Sequence, residues 1–318
     1  MGAARSEEAI PDGRENGEAT RPERALRLMR SMAAAHRART AVRAVARDPV
    51  ETLIMLRERV AERGETRATT RDGVGGFMPW PPCPYWVDPD AEREMHEYVG
   101  AEWPCSDARE FWELWKEAIA ELESRFELGR GAFGGWGDGE PGFVRAVWCM
   151  TRHQRPRHVI ETGVARGITT RFILEALERN ATGRLWSIDL PPPRSPELHD
   201  QIGVAVREGL RPRWRYVRGS SRRRLPGLLA RLTTIDLFVH DSRHSRRNVL
   251  FELNHAWEAF RAGGVLVVDD VDLNSGFHDF RERHADEGDF LVCHAEPLEP
   301  DLGRQDDRGV FGIIWKRV

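Results

Sequence analysis

The chain has 318 residues, of which 31% are charged, and its formal net charge is -3. This length fits one large domain with an extension, and the near-neutral charge argues against nucleic-acid binding through bulk positive charge. No apolar run approaches the length of a membrane span and the polar N-terminus has no apolar signal segment, so we expect a cytoplasmic protein without a membrane partner. The four cysteines form no Cys-x-x-Cys pair, so we expect reduced thiols and neither a zinc knuckle nor a redox motif.

The N-terminal part of the sequence divides into a tail and an extension. Residues 1–22 are rich in Glu, Gly, Arg and Pro, a composition that predicts a disordered tail. Residues 23–130 are predicted to form a helical, Pro- and aromatic-rich extension that acts as a lid, packs on the main domain or mediates oligomerisation. An apolar stripe that includes Leu53, Leu56 and Val60 favours packing of this apolar edge on the main domain, or a homo-oligomer, over a membrane surface.

The second half of the extension begins with an irregular stretch. Between residues 64 and 105 the run Pro79–Pro84 is expected either to cap an acceptor pocket or to lie pinned on a neighbouring surface. Phe111, Trp115 and Leu122 then recur at helical spacing, which predicts a helix with a buried face.

From residue 131 to residue 318, strands and helices alternate, which predicts a mostly parallel sheet. A flexible glycine-rich loop, which includes Gly134 to Gly139, leads into a helix predicted over Pro141–His153. Seven strands are predicted, with helices in the gaps after the first five, at 158–162, 184–189, 213–217, 235–240, 263–269, 289–295 and 310–317. A polar loop without a helix joins the last two strands, so they must form a hairpin with one antiparallel strand.

The stretch from His158 to Thr170 is the centre of this pattern, because a buried strand, a tight turn and a helix follow one another. The turn has small residues at Gly163, Ala165 and Gly167. This order lets a ligand approach the backbone at the helix N-terminus, and we expect small residues because a Cβ atom would collide with the ligand. The second strand ends in Asp189, where a Rossmann-type fold holds ribose hydroxyls.

The turn departs from the dinucleotide-binding fingerprint. Its middle small residue is Ala165, no third glycine follows Gly167, and Glu161 would repel a pyrophosphate. S-adenosylmethionine instead carries a cationic sulfonium and an amino group. The pattern Val-Ile-Glu-Thr-Gly-Val-Ala-Arg-Gly resembles motif I of class I S-adenosylmethionine-dependent methyltransferases, and an ordinary βαβ turn stays open as the alternative.

Acidic residues follow the fourth and fifth predicted strands. Asp241 follows the fourth strand, and Asp269 and Asp270 end the fifth. Because neighbouring strands lie roughly 5 Å apart, these carboxylates can converge, and a divalent cation would offset their repulsion. Ligation by oxygen alone favours Mg²⁺. The alternative is that some of them cap helices or pair with Arg243 or Arg246.

A histidine accompanies this acidic cluster. His244 follows Asp241 by three residues at a predicted helix start, so the two side chains can share a face. A neutral imidazole there could take a proton from an acceptor hydroxyl as a general base. A surface or capping role is the alternative for His244, whereas His240 lies inside the strand and is expected to be structural.

Both segments resemble the metal motifs of cation-dependent O-methyltransferases. The catechol type places Asp, Asp and Asn on the metal and uses a Lys as base; here Asp270 stands for the Asn and His244 for the Lys. These departures bring the chain closer to the metal-dependent O-methyltransferases of antibiotic sugars, some of which use a histidine base. The resemblance covers residues 140–318 and leaves the acceptor open.

The resemblance also implies the residues of the cofactor site. It implies that the methionine end is lined by Glu161, Gly163, Ala165 and Gly167, with Thr169 near the methionine carboxylate. It implies that Asp189 holds the ribose hydroxyls and that Ser220 and Ser221 border the adenine. Asp241 would lie between the cofactor and the metal.

Together these features predict an α/β protein with a Rossmann-like, seven-stranded class I methyltransferase sheet at residues 131–318. The predicted activity is a Mg²⁺-dependent transfer of a methyl group from S-adenosylmethionine to a hydroxyl of a small molecule, a sugar or another natural product. Two alternatives stay open. One is a methyltransferase-like module that binds without turnover, and the other, disfavoured by Glu161, is a nucleotide-dependent oxidoreductase or epimerase.

Overall fold

The computed structural model describes residues 48–69, 83–87, 90–128, 133, 140–191, 196–294 and 310–317, without the side chains of 63–69, 196 and 197. The segment Asp48–Val318 forms one compact unit. The predictions for the tail 1–22, for the extension before Asp48 and for the glycine-rich loop Gly134 to Gly139 lie outside the described residues.

The described elements follow one another as a helical N-terminal part and an alternating α/β part. The helices are α1 (Pro49–Thr69), α2 (Ala91–Tyr98), α3 (Ser106–Glu123), α4 (Pro141–Gln154), α5 (Ile168–Arg179), α6 (Ser221–Leu232), α7 (Arg246–Ala259) and α8 (Gly276–Arg283). The strands are β1 (His158–Thr162), β2 (Arg184–Asp189), β3 (Trp214–Arg218), β4 (Ile235–His240), β5 (Phe260–Val268), β6 (Gly288–His294) and β7 (Val310–Lys316).

The strands form one seven-stranded sheet in the order β3-β2-β1-β4-β5-β7-β6. Strands β1 to β5 are parallel, and β7 runs antiparallel to both β5 and β6. The predicted sheet with its C-terminal antiparallel hairpin is therefore confirmed. Thr162 pairs with Ile188 on one side and with His240 on the other, so β1, β2 and β4 end level with one another.

Apolar side chains cover both faces of the sheet, which is why its strands read as continuous apolar runs. Val159 and Leu237 belong to the core on one face, and Ile160 and Phe238 belong to the core on the other. This alternation follows the two-residue period of a strand. Because helices cover both faces of the sheet, the ends of the strands are where side chains of the sheet can meet a ligand.

The gap between β2 and β3 differs from the prediction of a helix in each gap. Two 3-10 helices, Pro196–Gln201 and Glu208–Arg213, occupy it, and no α-helix forms there among the described residues. Pro212 lacks the N–H that a continuing α-helix needs, and Gly203 has a φ of +67° at a point where a Cβ atom would lie 2.3 Å from the ring of Trp214. These residues stop an α-helix before it can extend.

The helical N-terminal part shares the main core from α2 onwards. Phe111, Trp115 and Leu122 of α3 are buried as predicted, and the Phe111 ring lies 4.8 Å from the ring of Phe172 in α5. The prediction of an irregular chain over 64–105 is wrong in two places, because α1 continues to Thr69 and α2 buries Met95 against this core.

Helix α1 contacts the domain through its acidic side rather than its apolar side. Val50, Leu53, Leu56 and Val60 are 50–68% exposed. The prediction that the apolar edge of this segment packs on the main domain is therefore wrong for α1, and the homo-oligomer stays a prediction. In the part of the chain that the structure describes, no helix combines the length and apolarity that a bilayer span requires.

Candidate active site

The turn after β1 is held in a left-handed conformation that its small residues allow. Gly163 has a φ of +88° and Gly167 a φ of +84°, and Ala165 between them has a φ of +47°. A Cβ atom on Gly163 would lie 1.8 Å from the carbonyl oxygen of Asp241, and one on Gly167 would lie 2.9 Å from the Cα of Gly203. The chain's own backbone therefore requires both glycines, and the close approach of a ligand to this turn stays a prediction.

Asp189, at the end of β2, contacts the same turn. Its Oδ2 accepts hydrogen bonds from the backbone N–H groups of Val164 at 3.1 Å and Ala165 at 3.0 Å. Burial raises the pKa of this carboxyl, while the amide donors oppose the rise. Asp189 therefore ties the end of β2 to the turn, a role that the sequence did not indicate.

Glu161 lies beneath the turn and is fully buried. Its Oε2 accepts hydrogen bonds from the hydroxyls of Thr170 at 2.8 Å and Ser187 at 2.6 Å. Its Oε1 is buried without a hydrogen-bond partner among the described residues. Burial, with the charges of Asp241 and Asp189, raises the pKa of Glu161 to about 8. The site thus contains an acidic oxygen that its protein neighbours leave unbonded.

Three potential metal ligands meet at the ends of β4 and β5. Ligand atoms of Asp241, His244 and Asp269 all lie within 4.8 Å of one another. The sheet positions them, because Asp241 N–H donates to the carbonyl of Thr162 and Asp269 N–H donates to the carbonyl of His240, both at 2.9 Å. The expected convergence of acids from two strands is therefore present for Asp241 and Asp269.

The two carboxylates of this group are electrostatically strained. Burial, followed by the charge of Asp270, raises the pKa of Asp241 to about 7 and raises the pKa of Asp269 well above its ordinary value. Asp269 Oδ1 is buried and has no hydrogen-bond partner among the described residues. Oxygen donors that repel one another and keep one oxygen unbonded fit a divalent cation.

Asp270, the third predicted metal ligand, is not part of this close group. Its backbone is left-handed, with a φ of +50°, and its Oδ2 lies 3.6 Å from Nε2 of His244. Asp270 therefore pairs with His244, and His244 occupies the position beside Asp241 and Asp269 that was predicted for Asp270.

His244 is buried in the loop between β4 and α7. It precedes the helix rather than starting it, because Ser245 caps α7 by accepting a hydrogen bond from Asn248 N–H. Burial, followed by the nearby His240, lowers the pKa of His244 to about 3. The imidazole is consequently neutral at neutral pH, the state that both a general base and a metal ligand require.

The remaining predicted cofactor residues lie around this centre. Thr169, near the N-terminus of α5, donates a hydrogen bond to Asp241 Oδ2 at 3.4 Å. Ser220 donates to Oε2 of Glu51 in α1 at 2.6 Å, and Ser221 contacts Oδ1 of Asn248 at 3.4 Å. Both serines at the predicted adenine position are thus engaged by protein side chains.

Comparisons with known proteins match the fold and this region of the chain. Residues 160–271 match a family model described as a methyltransferase domain, which spans the turn after β1 and both acidic strand ends. The seven-stranded order with an antiparallel β7 is the class I arrangement. This chain carries a class I methyltransferase domain. The expected methyltransferase is thereby confirmed at the level of this domain, and its use of S-adenosylmethionine stays a prediction.

Solved structures similar to this methyltransferase have low sequence identity to it. The O-methyltransferase TomG from Streptomyces achromogenes, solved with SAM, is 15% identical, with 64% of this chain and 96% of TomG covered and a TM-score of 0.44. An O-methyltransferase from Bacillus cereus, solved with SAH, is 16% identical, with 70% and 97% covered and a TM-score of 0.44. The SAH-bound methyltransferase PaMTH1 from Podospora anserina is 15% identical, with 76% and 100% covered and a TM-score of 0.45. No curated protein matches the sequence.

A buried polar network connects the strand ends of the methyltransferase site to helix α7. Glu252 of α7 is fully buried, and its Oε2 lies 2.5 Å from the Thr162 hydroxyl and 2.7 Å from Nδ1 of His240. Its Oε1 accepts hydrogen bonds from Ser242 and Asn248, both at 2.9 Å. This carboxylate joins the ends of β1 and β4 to α7. Sequence reasoning missed it, because a single Glu on a helix gives no local signal of its partners.

Helix α1 adds a second unpredicted contact beside the site. Glu58 pairs with Arg222 at 2.9 Å, and Glu62 pairs with Arg243 in the loop that carries Asp241. Since Glu51 also binds Ser220, acidic side chains along α1 contact the loops after β3 and β4. Helix α1 therefore borders the methyltransferase site.

Proposed function

We propose that this methyltransferase transfers the methyl group of S-adenosylmethionine to a hydroxyl of a small molecule, a sugar or another natural product, with the help of a divalent cation such as Mg²⁺. The observation that carries the proposal is the approach of Asp241, His244 and Asp269 to within 4.8 Å beside the turn after β1. An acceptor oxygen at that point would lie next to the cofactor edge of the sheet.

The residues around the turn fit the methionine and ribose parts of the cofactor. Glu161 offers an unbonded buried oxygen to the cofactor's amino group, and Thr169 lies where α5 begins, near the methionine carboxylate. Gly163, Ala165 and Gly167 form the turn itself. Asp189 would hold the ribose hydroxyls, and Ser220 and Ser221 would border the adenine after release or rearrangement of their present partners.

The acidic strand ends fit the cation. Asp241 and Asp269 would hold it directly, and Asp270 would complete the set through a small movement or an intervening water. When bound, the cofactor supplies the methyl group and the cation lowers the pKa of the acceptor hydroxyl. Both carboxylates must be ionised to bind the cation, so the raised pKa of Asp241 predicts stronger cation binding as the pH increases through about 7.

His244 would act as the general base. Its imidazole is neutral and lies beside the acidic pair, but its low pKa makes it a weak base, so it would need the ionised carboxylates around it to accept the proton that the acceptor hydroxyl loses. Asp270, with its Oδ2 3.6 Å from Nε2, would stabilise the imidazolium that results. This arrangement leaves the proton at Nε2 of His244.

The same geometry supports a second role for His244, that of a metal ligand in place of Asp270. An imidazole ligand would favour a transition metal such as Mn²⁺ over Mg²⁺. The two roles are separable by calorimetry, because His244→Ala should leave cation affinity unchanged if His244 is the base. A large loss of cation affinity in that variant would assign the imidazole to the metal.

The test of the proposed function is turnover with a panel of sugars, catechols and polyketide glycosides. EDTA should abolish methylation and added Mg²⁺ or Mn²⁺ should restore it. Full activity of the metal-free protein would remove the cation from the proposal and leave the acidic group structural. Cofactor binding without turnover on any acceptor would instead favour the non-catalytic module.

A further inference from the structure

A second cluster of metal-binding side chains lies away from the strand ends, among the helices of the N-terminal part. Cys105 precedes α3, Cys149 and His153 lie one turn apart on α4, and His96 lies on α2. His96, Cys105 and Cys149 are buried, with exposures of 0%, 6% and 0%. The proposed methyl transfer uses none of these four residues.

The distances in this cluster match those of a tetrahedral zinc site. The sulfurs of Cys105 and Cys149 are 3.9 Å apart, and Nε2 of His153 lies 3.5 Å from the Cys105 sulfur. Zinc bonds of about 2.3 Å to sulfur and about 2.0 Å to nitrogen would separate tetrahedral ligands by roughly 3.8 Å and 3.6 Å. Ligand atoms of His96, Cys105 and Cys149 also lie within 4.8 Å of one another.

His96 provides an independent sign that a ligand is missing from this cluster. Its Nε2 is buried and lies near the Cys105 sulfur, without a hydrogen bond of ordinary length among the described residues. Its other nitrogen, Nδ1, lies 2.7 Å from the carbonyl oxygen of Glu92, and its ring packs on Trp103 with centroids 4.6 Å apart. A histidine whose second nitrogen donates to a backbone carbonyl is the usual arrangement at a zinc site, since that bond fixes the ring and leaves Nε2 for the metal.

We propose that His96, Cys105, Cys149 and His153 bind a structural Zn²⁺ ion. Cys105 is the central ligand, since it lies close to both Cys149 and His153, and its sulfur also accepts a hydrogen bond from Ala108 N–H at the start of α3. His153, whose Nε2 also lies 3.8 Å from Oδ2 of Asp107, would complete the tetrahedron by a rotation of its side chain. Two thiolates and two neutral imidazoles cancel the charge of the ion, so the complete site is neutral and suits a buried position.

This ion would join the helical part to the methyltransferase sheet. It would link α2, the start of α3 and α4, and α4 leads directly into β1. Because the thiols lose their protons on binding and the ligands come from separate elements, zinc binding would stabilise the folded chain. The site is closed by protein ligands, which is typical of a structural rather than a catalytic zinc.

The test measures the zinc content of the full chain, purified without chelator and without a histidine tag, by plasma mass spectrometry. We expect about one zinc per chain in the wild type, almost none in Cys105→Ser and His96→Gln, and an unchanged content in the matched control Cys293→Ser. The Asp269→Asn variant should also retain about one zinc per chain, which would show that the zinc is not bound at the strand ends. Cys293 is buried in β6, outside the cluster.

A second measurement keeps the proposal testable if the variants fold poorly. Wild-type chain loaded with Co²⁺ should show thiolate charge-transfer bands and the intense visible bands of a tetrahedral site. Wild-type chain that neither retains zinc nor takes it from a chromophoric chelator would overturn the proposal. A Cys105–Cys149 disulfide in non-reducing peptide mass spectrometry, or full zinc content in folded Cys105→Ser, would overturn it as well.

Discussion

The two clusters of potential metal ligands differ in chemistry, exposure and position. The strand-end cluster has carboxylates that are half-buried and repel one another, with Asp241 and Asp269 at its centre. The helical cluster has sulfur and imidazole donors, of which His96, Cys105 and Cys149 are buried and His153 is half-buried. Hard donors at an open sheet edge suit an exchangeable cation that meets substrate, whereas soft donors in a closed interior suit a permanent ion. On these two proposals, the chain would separate the site of methyl transfer from an ion that holds its helices together.

The largest effect is expected from Asp269→Asn. Loss of a charged ligand should remove most of the cation's stabilisation of the transition state, several kcal/mol, so the turnover number should fall roughly a thousandfold. Steady-state kinetics would measure this fall, and thermal unfolding should show little change. Asp279→Asn is the matched control, because Asp279 pairs with Arg246 outside the cluster. Comparable losses in both variants would contradict the assignment of Asp269 to the cation.

The next effect is expected from His244→Ala. Its turnover should fall by roughly a hundredfold, the usual contribution of a positioned base, and its affinity for cofactor should be retained. The loss should shrink at high pH, where hydroxide can substitute for the base. The pH dependence of the turnover number measures this, with His255→Ala in α7 as the control. Turnover close to the wild-type value at neutral pH would leave His244 with a structural role.

A smaller effect is expected from Asp189→Ala. Removal of a carboxylate from the ribose position should weaken cofactor binding by roughly 1.5–3 kcal/mol, as calorimetry with S-adenosylhomocysteine would measure. Because Oδ2 of Asp189 also accepts hydrogen bonds from Val164 and Ala165, Asp189→Asn is the informative companion variant. Equal affinity of wild type and both variants would remove Asp189 from the cofactor site.

The last effect is one on stability rather than on activity, and it concerns the pH dependence of unfolding at the strand ends. Glu161 has a pKa of about 8 in the folded chain, above its ordinary value of 4.5. Its contribution to the free energy of unfolding is therefore fully present below about pH 4.5 and is lost as the pH rises to about 8. The side chain of Glu161→Gln cannot ionise. The free energy of unfolding of this variant, measured with urea, should therefore increase relative to that of the wild type over this pH interval. A stability difference independent of pH would contradict the raised pKa.

The sequence predicted the sheet well because its signals are local. Buried apolar runs such as Val159-Ile160 and the acids after β4 and β5 lie within single strands, and the sheet then brings their ends together. The segment between β2 and β3 was harder, because Pro212 and Gly203 act through specific turns that periodicity does not reveal. One predicted member of the strand-end group was also wrong, since Asp270 has a left-handed backbone and its carboxylate lies 3.6 Å from Nε2 of His244 instead of in the close group.

The contacts that the sequence could not predict join residues distant along the chain. Cys105 and Cys149 are 44 residues apart, so no spacing motif in the sequence indicates that their sulfurs are close. The contact between Glu51 and Ser220 spans 169 residues, and it turns the acidic side of α1 towards the domain. Such contacts depend on how helices pack on a finished sheet, whereas a sequence pattern reports only which face of each helix is apolar.

The central claim is that the turn after β1 and the end of β2 bind S-adenosylmethionine rather than a dinucleotide. Titration calorimetry of the wild-type chain with S-adenosylhomocysteine and with NAD tests it most directly. The account predicts one-to-one binding of S-adenosylhomocysteine and much weaker or no binding of NAD, because Glu161 keeps a buried, unbonded oxygen for an amino group and the turn lacks the third glycine of a dinucleotide site. Tighter binding of NAD than of S-adenosylhomocysteine would contradict it.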